Sequence, residues 1–441
     1  DATALGNYQV RAIARDVGNA STTSAVRTLV HVDETPPPRV TGVLARARGS
    51  SVELSWTAVT ASDLAGYQVR GRGPNGAAFN PPVTTATTAV HTDAELGRWT
   101  YEIVSRDASG NEAPPSASDG ADVFSIDLLS PRTPTSLTEL VVEGNSGEPG
   151  EVRASVQDSA GTRQLPLQTT NEIGRFELPV ASLAQGATAL SVFVVNGADD
   201  HSTVATLRFD RGDRPAAPTG LAAVVNATNV QLNWTANAPA PLAYRLTRSD
   251  SPQPAAVVVP GLSVTAEPNV GDANAVIDGN IDTVWSAPIL GSEVRGSYLE
   301  LEAVEPFWLS QIEIDFGTVG SRASEFDVMA WSGHQFVRLA IGATDTANAV
   351  ITLEEGYRTT RVRIVPRRVP WTAVQPLAIA EVRLKALPLI ATTSYLDTPA
   401  DGRHRYRVRA ISTLGLEGAA SPEVQVAVGD VDPPDAPVLS G

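Results

Sequence analysis

The chain has 441 residues, no cysteine and a formal net charge of −16. That length leaves room for about three or four domains. Without cysteine, neither disulfides nor thiolate metal sites hold the chain together, and the acidic balance argues against nucleic-acid phosphates as partners. Lys385 is the only lysine, so the basic residues are nearly all arginine. That bias, with abundant alanine, suggests a GC-rich bacterial genome. No run of about 18 apolar residues exists, so no segment reads as a membrane-spanning helix.

The first residues, "DATALGNYQVRAIARD", lack the basic start and apolar stretch of a signal peptide and read as the middle of a folded domain. The expectation is a piece of a longer chain. From there the signal is β almost throughout. "SVELSW" (Ser51–Trp56), "YQVRGR" (Tyr67–Arg72), "VQLNW" (Val230–Trp234) and "RYRVRAIS" (Arg405–Ser412) alternate with period two between Gly, Pro, Asn and Asp clusters. Many short strands with frequent turns predict an all-β chain of tandem β-sandwiches. Proline-rich joints divide it at Asp33–Val40, Leu128–Leu137, Asp210–Leu221 and Asp430–Gly441, because proline removes a donor, fixes φ and stiffens a connection.

Laid along these joints, residues 34–128 resemble a fibronectin type III domain, with Trp56 on its second strand and "WTYEIVSRDASGN" (Trp99–Asn111) on its sixth. The stretch 1–33 resembles the C-terminal part of the same kind of sandwich. Residues 129–213 resemble a bacterial immunoglobulin-like repeat. Residues 214–264 and 389–430 resemble the two halves of one fibronectin type III-like domain, together near the roughly 100 residues such sandwiches use. Residues 265–388 then form a domain inserted at a tolerant loop, and 431–441 begin the next linker or domain. Tyr8, Tyr101 and Tyr406 fall in register in "YQVRAIARD", "YEIVSRD" and "YRVRAIS". The resemblance implies a corner tyrosine there, its hydroxyl bonded to nearby backbone.

Within the insert, "NAVIDGNIDTVWSA" (Asn274–Ala287), "SYLELEAVEPFWLSQIEIDFG" and the closing "LAIAEVRL" (Leu377–Leu384) resemble the discoidin, or coagulation-factor type C, family that includes the family 32 carbohydrate-binding modules. The resemblance implies a jelly-roll sandwich with adjacent ends, which suits insertion. Asp278, Asn280, Asp282 and Thr283 crowd hard oxygen donors onto one short turn, where Gly279 permits a tight bend. By resemblance, Glu381 closes a calcium site from the last strand; whether Asn280 or Asp282 bends inward stays open. The same residues also suit an ordinary hairpin turn. Trp285, like Trp56 and Trp234, reads as core.

The resemblance further implies a sugar site in loops at one end of the sandwich, where an aromatic stacks on a sugar face and polar groups grip hydroxyls. The candidates are Trp371, Arg367 and Arg368 in "VPRRVPWTAVQPL", and Trp331 and His334 in "AWSGHQF". A tryptophan covering the core beside solvated arginines is the alternative reading of the first loop.

Enzymatic signatures are missing. The five histidines are scattered, and neither an H-E-x-x-H pair nor a G-x-S-x-G elbow occurs. "RGD" (Arg211–Asp213) sits in an interdomain joint and reads as joint composition, and the sequons at Asn19 and Asn226 are uninformative. The expectation is therefore a non-enzymatic extracellular or cell-surface stalk, fibre or adhesin segment. It presents a calcium-stabilised, carbohydrate-binding-like domain to glycans or to neighbouring fibre subunits. The alternative is the substrate-targeting accessory region of a large secreted carbohydrate-active enzyme or protease.

Overall fold

The computed structural model describes residues 6–249, 251–267, 271–288, 294, 296–317, 322–344, 346–369 and 376–429. Strands dominate it, and the two helical turns are short 3-10 segments, Pro74–Gly76 and Ala273–Ile277. Trp371 and the 431–441 segment fall outside the described residues.

Residues 6–33 form two small antiparallel pairs, Gly6–Val10 with Arg27–His31 and Ile13–Arg15 with Ser21–Thr23. Their apolar side chains, Leu29 and Val30 among them, stay exposed. The second module is a two-layer sandwich. Leu44–Arg48, Ser51–Ser55 and Thr88–His91 make one sheet; Asp119–Val123, Gly97–Asp107, Leu64–Arg72 and Ala78–Phe79 make the other. Strict alternation puts Val52, Leu54, Val69, Trp99, Tyr101 and Ile103 into one core with Trp56. The third module packs Asp127–Leu129, Leu140–Asn145 and Arg175–Val180 against a sheet built on Gly150–Asp158 and Gly186–Asn196.

Its start differs from the sequence reading. Phe124 and Ile126 belong to the third module's core, and Asp127 pairs with Asn145, so the boundary lies before residue 128. A buried carboxylate helps fix the joint between the two modules, beside an Arg48–Asp199 ion pair and backbone bonds between His201 and both Ala47 and Gly49. Asp200, with no exposed surface, accepts hydrogen bonds from the backbone N–H of Ala47 (2.7 Å) and Asp122 (2.9 Å).

The fourth sandwich is assembled from two separated stretches of chain. Asn229–Thr235 pairs with Ser394–Asp397, and Ala243–Arg248 pairs with Gly402–Ile411. Val230, Leu232, Trp234, Leu246, Tyr406 and Val408 share one core across the interruption. A buried polar cluster crosses it as well. The Tyr406 hydroxyl donates to Asp397 Oδ2 (2.7 Å), and Arg248 donates to both Asp397 oxygens (3.2 and 3.0 Å).

The interrupting domain starts earlier than residue 265. Val257 and Val258 pair with Ala386 and Lys385, and Ser263–Glu267 pairs with Tyr298–Glu302, so 257–264 belong to the insert. Two long strands, Tyr298–Asp315 and Asn348–Arg368, run the full length of this domain and pair with each other. Breaks in their register between Glu302 and Phe307 and between Leu309 and Gln311 bend them, as bulges do. Their ladder therefore passes from one layer to the other. In one layer they meet Ser263–Glu267 and Glu325–Trp331; in the other they meet Glu381–Ala386. Trp285, Leu301, Ile312, Phe326, Val362 and Leu384 fill the space between the layers.

The tyrosine register resolves differently from expectation. Tyr101 and Tyr406 are fully buried, but their hydroxyls meet side chains, His91 Nδ1 at 2.9 Å and Asp397. The backbone-bonded tyrosines sit on the preceding sheet neighbours. Tyr67 accepts from Val59 N–H (2.8 Å) and Tyr244 from Asn237 N–H (3.2 Å). Each of those hydroxyls reaches the loop just before its own strand, whereas Tyr101 and Tyr406 point across the core to the neighbouring sheet.

Candidate functional site

The oxygen-rich turn follows directly from its residues. Asp272 caps the Ala273–Ile277 turn through Asn274 N–H, and Gly279 takes φ +77°, a left-handed value that favours glycine. Asp278 Oδ1 then accepts from Asn280 N–H (2.8 Å), and Asn280 Oδ1 accepts from Asp282 N–H (3.1 Å). The Thr283 hydroxyl donates to Asp278 Oδ2 and to the Asn280 carbonyl, each at 2.8 Å. Three oxygens therefore converge: a carboxylate, a carbonyl and a hydroxyl. The Asn280 side chain shapes the turn, and Asp282 is exposed.

Glu381 closes the arrangement from the last strand. Its Oε2 accepts from Gly279 N–H (3.0 Å), and the residue is only 5% exposed. Burial pushes its carboxyl above the usual glutamate value. Arg383 and the Gly279 N–H oppose that, while the charges of Asp278 and Asp315 add to it. An ionised carboxylate in such a place is costly unless a cation offsets it. The donor set is all hard oxygen, which fits calcium better than a soft or nitrogen-seeking metal. If calcium binds here, Asp278, the Asn280 carbonyl, Thr283 and Glu381 would hold it.

The sugar-site candidates do not gather at one place. Glu325 pairs with Arg368 at one end of the Glu325–Trp331 strand, and Trp331 lies at the other end, opposite Phe336. Arg367 and Arg368 share the end that carries the oxygen-rich turn. Backbone bonds stitch that end together, from Ser324 N–H to Arg368 O (2.8 Å), Thr344 N–H to Ser324 O (3.3 Å) and Phe316 N–H to Ala347 O (2.8 Å). Asp315 at the end of its strand pairs with both Glu381 and Asn348. Arg367 is anchored there by Asp327, a residue 1% exposed, through Nε to Oδ2 at 2.6 Å, yet its own side chain is 45% exposed.

Trp331 and His334 face elsewhere. The Arg361 guanidinium lies 4.0 Å over the Trp331 ring and covers it. His334 Nε2 stands 3.7 Å from Asp210 of the preceding sandwich. This loop is an intermodule contact. The RGD arginine is equally engaged: Arg211 is 14% exposed at its side chain and lies 3.7 Å from Asp213.

One cluster was not foreseen from sequence. Carboxylate oxygens of Asp33, Asp63 and Asp107 lie within 4.8 Å of one another, where the first proline joint meets the second module. Burial raises the Asp107 carboxyl, but hydrogen bonds from Asn111, Gly110 and Ser109 outweigh it, leaving the group below the usual carboxylate range. Asn111 already donates to both Asp107 oxygens, from its N–H (2.8 Å) and its Nδ2 (2.9 Å).

No family model matches the chain, and a search of curated proteins finds no match. Among solved structures, the chain is similar to CpGH89CBM32-5 from Clostridium perfringens in complex with GalNAc-β-1,3-galactose, at 16% identity over 29% of this chain and 99% of that one, with a TM-score of 0.25. It is similar to the family 32 carbohydrate-binding module of C. perfringens NanJ in complex with galactose, at 20% identity over 30% and 98%, with a TM-score of 0.26. The module of AlyQ in complex with 4,5-unsaturated mannuronic acid gives 21% identity over 29% and 97%, with a TM-score of 0.25.

Proposed function

We propose that this chain is a non-catalytic extracellular stalk or adhesin segment whose inserted domain is a calcium-stabilised, discoidin-type carbohydrate-binding module. The observation that carries the reading is the end of the insert where the oxygen-rich turn, Glu381 and the anchored but exposed Arg367 come together. There the calcium would hold the loop framework, and the anchored Arg367 and the exposed Arg368 beside it would supply donors to sugar hydroxyls or carboxylates. A guanidinium fixed by a buried partner loses less side-chain entropy on binding than a free one.

The test is a glycan array on the full chain followed by titration calorimetry on any hit. Arg367→Ala and Arg368→Ala should each weaken binding about tenfold, ~1.4 kcal/mol, while Trp331→Ala leaves affinity unchanged. An array without hits, or arginine variants that bind as the parent does, would sink the carbohydrate reading.

A further inference from the structure

The insert's opposite end is not free. Its strand bend at 355–357 and its 331–335 loop both touch the third sandwich, which precedes the host in the chain. Arg132 Nη2 donates to the carbonyls of Glu355 (2.8 Å) and Gly356 (3.1 Å), and the Tyr357 hydroxyl donates to Thr133 O in a close contact. Thr133 and Tyr357 are 1% and 4% exposed, so this is a closed seam. Gln335 adds a two-way clasp: its Oε1 accepts from Arg208 N–H (3.1 Å) and its Nε2 donates to Ser130 Oγ (3.1 Å).

Arg214, in the linker itself, binds all three parts. It donates to both Glu355 oxygens (2.8 and 3.1 Å), to the host carbonyl of Glu417 (2.6 Å) and to Ser136 Oγ of the third sandwich (3.1 Å). A cavity of about 200 Å³ remains at the meeting point, between Arg132, Arg214, Glu355, Tyr357 and Leu416.

We infer that the inserted domain is a brace: its inner end is an interaction surface whose partner is the preceding sandwich of the same chain, and its docking fixes the angle between that sandwich and the host. Two sandwiches joined by a short linker alone move relative to each other by default. Here the linker arginine, two carbonyls and two side-chain clasps hold them from the side. The inference stands on these contacts and is independent of any glycan or metal.

Absence of cysteine makes the test direct. Spin labels at Leu167→Cys in the third sandwich and Leu396→Cys in the host, both exposed, report their separation by pulsed electron resonance on the full chain. The parent should give one narrow distance distribution. Adding Arg132→Ala, Glu355→Ala and Gln335→Ala, changes at side chains outside the insert's buried core that remove the carbonyl, linker-arginine and glutamine contacts together, should broaden it about twofold or more, toward modules held only by a linker. A parent distribution that is already broad, or a variant distribution as narrow as the parent's, would overturn the inference. Unchanged circular dichroism and melting of the insert separate undocking from unfolding.

Discussion

Arg248→Ala removes one of the arginines that pair with a buried carboxylate across the host's interruption, as Arg245 does with Glu417. Arg248 precedes the insert; Asp397 and Tyr406 follow it. Asp397 is 5% exposed, so the substitution leaves a nearly buried carboxylate without its cation. Breaking a buried pair in this way costs about 3–5 kcal/mol. The Arg248 side chain is 26% exposed and the Tyr406 hydroxyl still donates to the carboxylate, which places the cost at the lower end, about 3 kcal/mol. At about 4–8 °C per kcal/mol for a unit near 100 residues, the host transition should fall by ~12–24 °C. Differential scanning calorimetry, with hydrogen exchange on Ala243–Arg248 and Gly402–Ile411, follows the right part of the molecule. The Asp397→Ala and Arg248→Ala/Asp397→Ala variants complete the cycle, and the double variant should lose less than the two singles added together. An Arg248→Ala protein within about 0.5 kcal/mol of the parent would refute the argument, since that is the scatter of an inconsequential surface change.

Other expectations are as direct. Asp158 accepts hydrogen bonds from Arg163 Nη1 (2.8 Å) and Ala160 N–H (2.9 Å), and these hold its carboxyl below the usual range. The unfolded chain then binds the proton more readily than the folded one, so Asp158 stabilises the third module at neutral pH and that contribution disappears as pH falls through the folded pKa. Asp158→Asn should therefore cost stability at pH 7 and little in strong acid, read by denaturant titration at several pH values; an equal cost at both would count against it. Asp278→Ala should cost about 3 kcal/mol more stability with calcium at a hundredfold excess over the dissociation constant than in chelator, where only its hydrogen bonds to Asn280 and Thr283 are lost; an equal loss under both conditions would exclude the metal. Gly356→Ala would drive a methyl into the Trp308 indole and should destabilise the insert by about 1–3 kcal/mol, checked by calorimetry; a neutral result would mean the seam around Trp308 is loose.

The strands were legible because alternation is a local property: "VQLNW" shows its buried face in five residues whatever pairs with it. The turn at 278–283 was legible for the same reason, with every donor within one turn except Glu381, which only the resemblance supplied. Boundaries were not. Val257–Val258 and Ser263–Glu267 alternate as a host strand would, and only their partners, Ala386 and Glu302, reveal which sheet they join. Trp331 read as a ligand-stacking residue because its cover, Arg361, comes from another strand. The Asp33, Asp63 and Asp107 cluster was invisible because its members come from three unrelated stretches.

The nesting of one domain within another also sets an order of assembly. Strand Ala243–Arg248 cannot find Gly402–Ile411 until the intervening chain has been made and its ends brought together. Closure of the insert does this by itself, because Val257 pairs with Ala386. It turns a long loop into a short one and spares the host about 2 kcal/mol of closure entropy. During synthesis the inner domain should therefore fold first, leaving the outer one as an open half-sandwich that awaits its second half.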